Sequence, residues 1–456
     1  ITLWSTRDYI LQKLQELGID VQPQTSKIAV VGNLYGNGLP HLLRNLLYNP
    51  QIRDLAVFGR DRSGSLHDLI AFFEEGLEKV DYLGEEVTRI KGTNHVIDSL
   101  VTPEMFVEKP RIHVFGEPDD KASCAKLYKF VQSYSPSPPV TQERVDVPLP
   151  EVQVKRFPSE PRSHVIVKEK PLQAWRELVF RLVRFGHLVH LSKGDRQELQ
   201  NVKVVITRPV LDEADELSQY GFSLEELKQY QAEMVEPSLP PDQVYTYGNR
   251  LRCYFSIDAL SLFAERLRRN REDRHCYFSL WDNSVDIEAD SSPCLVSIFF
   301  RLFEHKLTLT AVYRTHNALD AWLRNVYGLT RVLEIVSAEA GVEPGPITVI
   351  SHSISIDPAR YDFARRVAES KPFSIDMDPN GYFVISIDQE TREIVACHLS
   401  QDGVQLAEYR GRKAERIQHE IARDCAISDI NHALYVGRQL ARAEECLRAG
   451  KPFEEG

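Results

Sequence analysis

Cys294 follows Pro293 and precedes an apolar run, 295–300, with the length and composition of a buried strand. A second strand-like run, 306–313, then delivers Arg314, Thr315, His316 and Asn317. A cysteine at the mouth of one strand and an arginine at the end of the next could set a nucleophile beside an anion clamp. On that fragment alone a buried structural thiol is the simpler reading. Other polar residues of the same region are Asp195-Arg196, Tyr247-Gly248, Arg274 ahead of Trp281, and Asn325. An arginine after a strand is ordinarily a solvated surface residue, and Asn325 opens a helical stretch that it could simply cap. Nearer the C-terminus, Asp429, His432 and Tyr435 fall at i, i+3 and i+6, with Arg438 one turn on. Metal or phosphate binding there competes with the plainer reading of a polar helix face.

The elements that would position these residues can be read in order. A helical stretch, 5–17, ends at Gly18, and 27–31 reads as a buried strand. Gly32, Gly36 and Gly38 fill the loop before a helix over 39–48. A strand at 55–58, a helix at 65–75 and a strand at 112–115 continue the alternation, which predicts an α/β domain with a parallel sheet. The glycines give only a weak nucleotide-loop signal, with neither Gly-Lys-Ser/Thr nor G-x-G-x-x-G. Between 135 and 161 the composition turns to Pro, Ser, Val and charge, an extended interdomain linker.

A helix at 172–185, a polar loop at 193–196 and a strand at 202–206 open the next region. Helices follow at 222–234, with Ser223 as N-cap and Glu226 at the capping-box position, and at 258–269. A strand at 276–281 precedes the two runs around Cys294 and Arg314; a helix at 325–340 and a strand at 347–351 come after them. Beyond, 381–388 and 394–399 alternate like strands of a meander, and helices at 413–424 and 429–449 close the chain. The expected domains are 1–130 (α/β), 131–165 (linker), 166–365 (α+β) and 366–456 (small α+β).

At 456 residues the chain suits about three domains of roughly 150 residues each. A net charge of -11 argues against non-specific nucleic-acid binding, and no apolar run approaches the ~20 residues of a membrane helix. The seven cysteines (124, 253, 276, 294, 397, 425, 446) include no C-x-x-C pair, so neither a disulfide framework nor a zinc site is expected. A reducing, cytoplasmic compartment follows as the expectation. The first residues carry no signal-peptide pattern, although a start at Ile1 rather than Met leaves room for residues upstream.

Two resemblances add to this reading. The run Ile52-Arg-Asp-Leu-Ala-Val-Phe-Gly-Arg-Asp-Arg-Ser-Gly-Ser-Leu-His67 resembles the corrinoid-carrying A subunit of tetrahydromethanopterin S-methyltransferase, over roughly 27–100. The resemblance implies a cobalt-ligating histidine just after the glycine, but Ser65 stands there and the nearest histidine is His67. No corrinoid is therefore expected. The C-terminal region resembles an uncharacterised domain found beside such proteins.

From 170 to 360 the order of Asp195-Arg196, Tyr247-Gly248, Arg274, Pro293-Cys294, Arg314-Thr315 and Asn325 resembles the thymidylate synthase and pyrimidine hydroxymethylase family. The run Val244-Tyr-Thr-Tyr-Gly-Asn-Arg-Leu251 looks most like its archaeal form. This implies one-carbon transfer, as methyl or hydroxymethyl, from methylenetetrahydrofolate or a related pterin to C5 of a pyrimidine nucleotide. Cys294 would add to C6, because C5 is a poor nucleophile until something does. Arg196, Arg274 and Arg314, with Thr315, would bind the phosphate, and Asn325 would read the pyrimidine edge. Arg274 would reach into the partner's site, which implies a homodimer.

The chain also departs from that pattern. Asn317 stands where the family has an aspartate against the pterin. Ser353-Ile-Ser355 replaces a His-x-Tyr pair at the sugar, with His352 displaced by one position. Glu226 is the candidate catalytic glutamate, with Glu225 and Glu233 nearly as good. Two other readings stay open: a non-catalytic nucleotide- or pterin-binding assembly protein, and a corrinoid-linked methyl-transfer protein.

Overall fold

The computed structural model describes residues 1–135, 142–150, 156–191, 194–289, 291–371 and 377–456. Asp290, Lys193 and parts of the expected linker lie outside them. The chain forms two compact units, Ile1–Lys371 and Pro372–Gly456.

The first part of the larger unit pairs Asp54–Phe58 with Arg111–Gly116 in parallel, as the α/β alternation predicts. Helices Arg7–Glu16, Gly38–Tyr48, Ser65–Glu74 and Lys121–Ser133 accompany this pair. An antiparallel hairpin, Leu77–Tyr82 with Glu85–Ile90, was not anticipated. The expected strand at 27–31 does not form. Its hydrogen bonds are local or lead elsewhere: Ile28 N–H donates to the Ser26 hydroxyl (2.9 Å), and Lys27 Nζ to the carbonyls of Val131 and Gln132. Val30 is 66% exposed, so an apolar run alone was not enough to place the segment in a sheet.

The Ser65 hydroxyl is buried beside that of Ser63 (2.7 Å), while His67 is exposed. Of the expected linker, residues 145–148 lie against the N-terminal core, with Val145 N–H on the Leu47 carbonyl and Arg44 on the carbonyls of Val147 and Pro148. Phe157 N–H instead donates to Arg184, and Pro161 accepts from Gln200, both in the central region.

The central region is built on a mixed sheet in the order Val165–Lys168, Gly194–Ile206, Glu343–Ile356, Lys306–Tyr313, Leu295–Phe303, Tyr277–Ser279. Within the polar loop expected at 193–196, residues 194–196 are instead strand, Gly194–Ile206 pairing with His187–Leu191, so Arg196 stands on a strand. Along Lys306–Tyr313 the odd positions Leu307, Leu309, Ala311 and Tyr313 are buried, the period-2 mark of a sheet with one core face. Helices Pro171–Phe185, Leu224–Glu233, Ala259–Arg269 and Trp322–Ala340 contribute to the same core. Trp322–Ala340 is buried on most of its circumference, as its mostly apolar sequence requires.

Register places the chemistry. Tyr313 pairs with Leu295 across antiparallel strands, and with Ser351 across parallel ones; Gln197 pairs with Ile356. Arg196, Cys294, Arg314, Thr315, Asn317, Ser353 and Ser355 therefore all lie toward one end of the sheet.

The smaller unit is an antiparallel meander, Tyr382–Asp388, Glu393–Leu399 and Gln405–Gly411, with helices Ala414–Arg423 and Ile430–Ala449. Phe383, Ile385, Ile394, Ile417 and Leu440 are among its core.

Candidate functional site

Cys294 is held from both sides. Its carbonyl accepts the Arg314 backbone N–H (2.9 Å), and the next residue, Leu295, donates its N–H to the Tyr247 hydroxyl (3.3 Å). The Arg314 side chain fixes the approach to the cysteine: Nε donates to the Pro293 carbonyl (2.9 Å), and Nη2 to the carbonyl (2.9 Å) and hydroxyl (3.0 Å) of Ser292. Its guanidinium carbon lies 5.6 Å from the centre of the Trp281 ring. Burial pushes the half-buried Cys294 thiol pKa up, and the Arg314 charge opposes that only in part. The arginine thus supplies positive charge beside the sulfur while two of its three nitrogens are engaged in shaping the loop.

Asn325 does not cap its helix. It lies in the first turn of Trp322–Ala340, buried, in a chain of hydrogen bonds. The Tyr230 hydroxyl lies 2.6 Å from Asn325 Oδ1, Asn325 Nδ2 lies 2.8 Å from His316 Nε2, and His316 Nδ1 lies 3.0 Å from the Ser351 hydroxyl. Chemistry fixes every direction in this chain. An amide nitrogen cannot accept, so His316 Nε2 must be the bare nitrogen and Nδ1 must carry the proton. Burial pushes the imidazole down to about 3, consistent with that neutral tautomer. The locked carboxamide keeps one N–H and one oxygen lone pair free, a donor–acceptor pair suited to the edge of a planar amide-like ring.

Tyrosines line this region. Tyr313 stacks on His316 with centroids 4.0 Å apart, and Tyr245 and Tyr247 lie 5.9 Å from each other. Tyr313 is fully buried, yet its hydroxyl has no hydrogen-bond partner among the described residues.

The other expected residues separate into three groups. Arg196 is at the same end of the sheet, 3.6 Å from Asp357, and Thr315 stands half-buried between Arg314 and His316. Ser353 donates its N–H to the Arg314 carbonyl (3.3 Å), whereas His352 is exposed on Asn201. Asn317 is exposed and turned to its own chain: Oδ1 accepts from the N–H groups of Leu319 and Asp320, and Nδ2 donates to Asp320 Oδ2, all at 3.0 Å. Arg274 is not brought to Cys294. It precedes Tyr277–Ser279, whose Tyr277 pairs with Phe299, so it lies toward the opposite end of the sheet and is exposed.

Of the glutamates, Glu225 and Glu226 are exposed, the latter 3.7 Å from Arg324. Glu233 is half-buried on the turn after Tyr230, 3.4 Å from Arg62. In the smaller unit Asp429 caps its helix through the His432 N–H, and the His432 ring bonds Asp378 (2.9 Å). No cluster of three metal-binding side chains occurs among the described residues, and no described helix is long and apolar enough to cross a membrane.

Sequence reasoning missed Tyr230, Tyr245, Tyr313, His316 and Ser351. His316 had a signal: it sits two residues after Arg314, on the two-residue strand His316–Asn317. Tyr230 had none, since its place depends on how two helices pack.

A family model described as PterinBD-DUF4346 matches residues 377–456. The protein named "Putative thymidylate synthase" in Methanothermobacter marburgensis is 31% identical over 225 residues, 46% of this chain and 99% of the relative. Its namesake in Methanothermobacter thermautotrophicus is 33% identical over 199 residues, 40% of this chain and 86% of the relative. That of Methanococcoides burtonii is 29% identical over 196 residues, 42% and 89%.

Proposed function

The chain belongs to the thymidylate synthase-like family of these archaeal relatives, and we propose that its central region transfers one carbon to C5 of a pyrimidine nucleotide. The observation that carries this is the pairing of Cys294, loop-locked by Arg314, with the Tyr230–Asn325–His316 chain that presents an oriented carboxamide. The Cys294 thiolate forms a bond to C6; the C5–C6 π pair moves toward the C4 carbonyl, and C5 becomes nucleophilic. Asn325 holds the ring edge, and the free Arg314 nitrogen with Arg196 and Thr315 receives the phosphate. The exposure of Arg274 and its place along the sheet support assigning it to the site of a second copy.

A reduced pterin would supply the carbon, a reading supported by the PterinBD-DUF4346 match. Asn317 does not fit the contact expected of it, because its oxygen is taken by two backbone N–H groups. No residue is assigned to the pterin ring.

The test needs no carbon donor. Protonation of the adduct at C5 and reversal release the original C5 hydrogen, so tritium should leave C5-labelled dUMP, dCMP, UMP or CMP. Cys294→Ala should reduce release by ~10³-fold or more. No release from any of the four would sink catalysis in this form. The raised thiol and the engaged Arg314 favour, as second reading, a protein that binds nucleotide without turning it over. Equilibrium binding without exchange would select it.

A further inference from the structure

The loop 59–64, which follows the parallel strand Asp54–Phe58, leaves the N-terminal region and grips the central one. The Asp61 carboxylate fixes the loop's shape by accepting from the N–H groups of Ser63 (3.3 Å), Ser65 (3.2 Å) and Leu66 (3.0 Å). The loop then makes two attachments.

Arg62 Nη1 meets Glu233 Oε2 at 3.4 Å, at the last turn of the helix that carries Tyr230. Arg60, braced by Glu117 and Asp119, reaches Asp242 at 3.6 Å. Asp242 is 1% exposed and also accepts from the Ser5 hydroxyl (3.0 Å), which in turn accepts the Arg60 backbone N–H (3.2 Å).

Glu233 ends its helix just before, and Asp242 lies within, the stretch 234–246 without helix or strand, which carries Tyr245 and leads into the helix Tyr247–Arg252. The start of that stretch is pressed onto Gly248, where a Cβ would lie 2.9 Å from the Glu233 carbonyl and 2.2 Å from that of Glu236. Tyr247, the neighbour of that glycine, holds Leu295 N–H beside Cys294.

We propose that the 59–64 loop is a working part of the Cys294 site, with Arg62 as a positioning residue that fixes the 233–247 segment from outside the central region. Less than half of this chain suffices to span the M. marburgensis relative almost end to end.

The test uses the whole chain and does not depend on the nucleotide chemistry. Iodoacetamide alkylation is followed peptide by peptide, with the exposed Cys253 and the buried Cys276 as internal references. In Arg62→Ala, Cys294 should be modified about threefold to fivefold faster, the range a half-exposed ion pair can shift an equilibrium. The Cys253 and Cys276 rates should hold, and Arg62→Lys should restore most of the difference. Deuterium uptake over 234–247 should rise in the same variant. Asp242→Asn, with Arg62 intact, should act in the same direction. An unchanged Cys294 rate in both variants, or a rise shared by Cys276, would overturn the proposal. Failure of tritium exchange would leave it standing.

Discussion

In the smaller unit, Asp378 is buried and receives five hydrogen bonds: from the N–H groups of Asn380, Ser428 and Asp429, the Ser428 hydroxyl and the His432 ring. Burial works against its charge, but those donors outweigh it and hold the carboxyl well below the usual carboxylate range. In the central region, Cys294 is pushed the other way by burial, and the Tyr313 hydroxyl beside it on the neighbouring strand has no partner among the described residues. A carboxylate with all its acceptor positions filled stabilises a turn and has little left for a ligand. The raised thiol is kept neutral at no cost to the fold at neutral pH, but the orphan hydroxyl costs ~1–3 kcal/mol. Such a cost points to a ligand rather than to the fold.

Mutations on the two sides of that contrast should behave oppositely. The largest effect is expected of Cys294→Ala, which should abolish C5 exchange while leaving thermal unfolding almost unmoved. Asp378→Asn should do the reverse. An amide would set its own donors against the Ser428 and Asp429 N–H groups, costing about 2–4 kcal/mol. Calorimetry should show the smaller unit melting early with exchange intact. Equal loss of exchange in Asp378→Asn would break the contrast.

Acid should separate the two regions without mutation. His316 is held neutral at about 3 against an ordinary 6.5. Below pH 6.5 the unfolded chain takes up a proton that the folded one refuses. Stability from this residue is therefore complete above 6.5 and declines as pH falls toward 3, by ~1.4 kcal/mol per unit at most. Asp378 carries the opposite charge type with a lowered pKa, so its contribution is complete above about 3.8 and fades only below that. Between pH 6 and 4.5 the central region should loosen, by about 2 kcal/mol at pH 5, while the smaller unit stays as it was. Deuterium uptake by region, against His316→Gln, checks the order.

Much of the framework was legible because it depends on local pattern. The strands at 295–303 and 306–313 carry uninterrupted apolar or alternating runs, and Ser223 and Asp258 cap the helices they precede. The nearness of Cys294, Arg314 and Arg196 follows once the strand order is known. What was hidden depends on partners distant in sequence. The 27–31 run looked like a strand because nothing local shows that no neighbour waits for it. Capping stayed open as the plainer reading of Asn325 because the sequence cannot show Tyr230 arriving from 95 positions away. Asn317 is the local exception: it stands where the family has an aspartate against the pterin, and its side chain bonds Leu319 and Asp320 within its own turn.

The smallest effect is the most telling. Tyr313→Phe removes only a hydroxyl that bonds nothing among the described residues. The ring keeps its stacking on His316 and its place opposite Leu295. If the hydroxyl were structural, its loss would lower stability. As an orphan, its removal should leave the central region unchanged or more stable by about 1 kcal/mol. If it is kept for a ligand or for the ionised sulfur, C5 exchange should fall about tenfold in the same variant, a single lost hydrogen bond to a charged or polarised atom. A gain in stability with a loss of rate is the pattern that a site shows and a core does not. The same deletion at Ser428, whose hydroxyl bonds Asp378 at 2.5 Å, should lose stability and leave the rate alone.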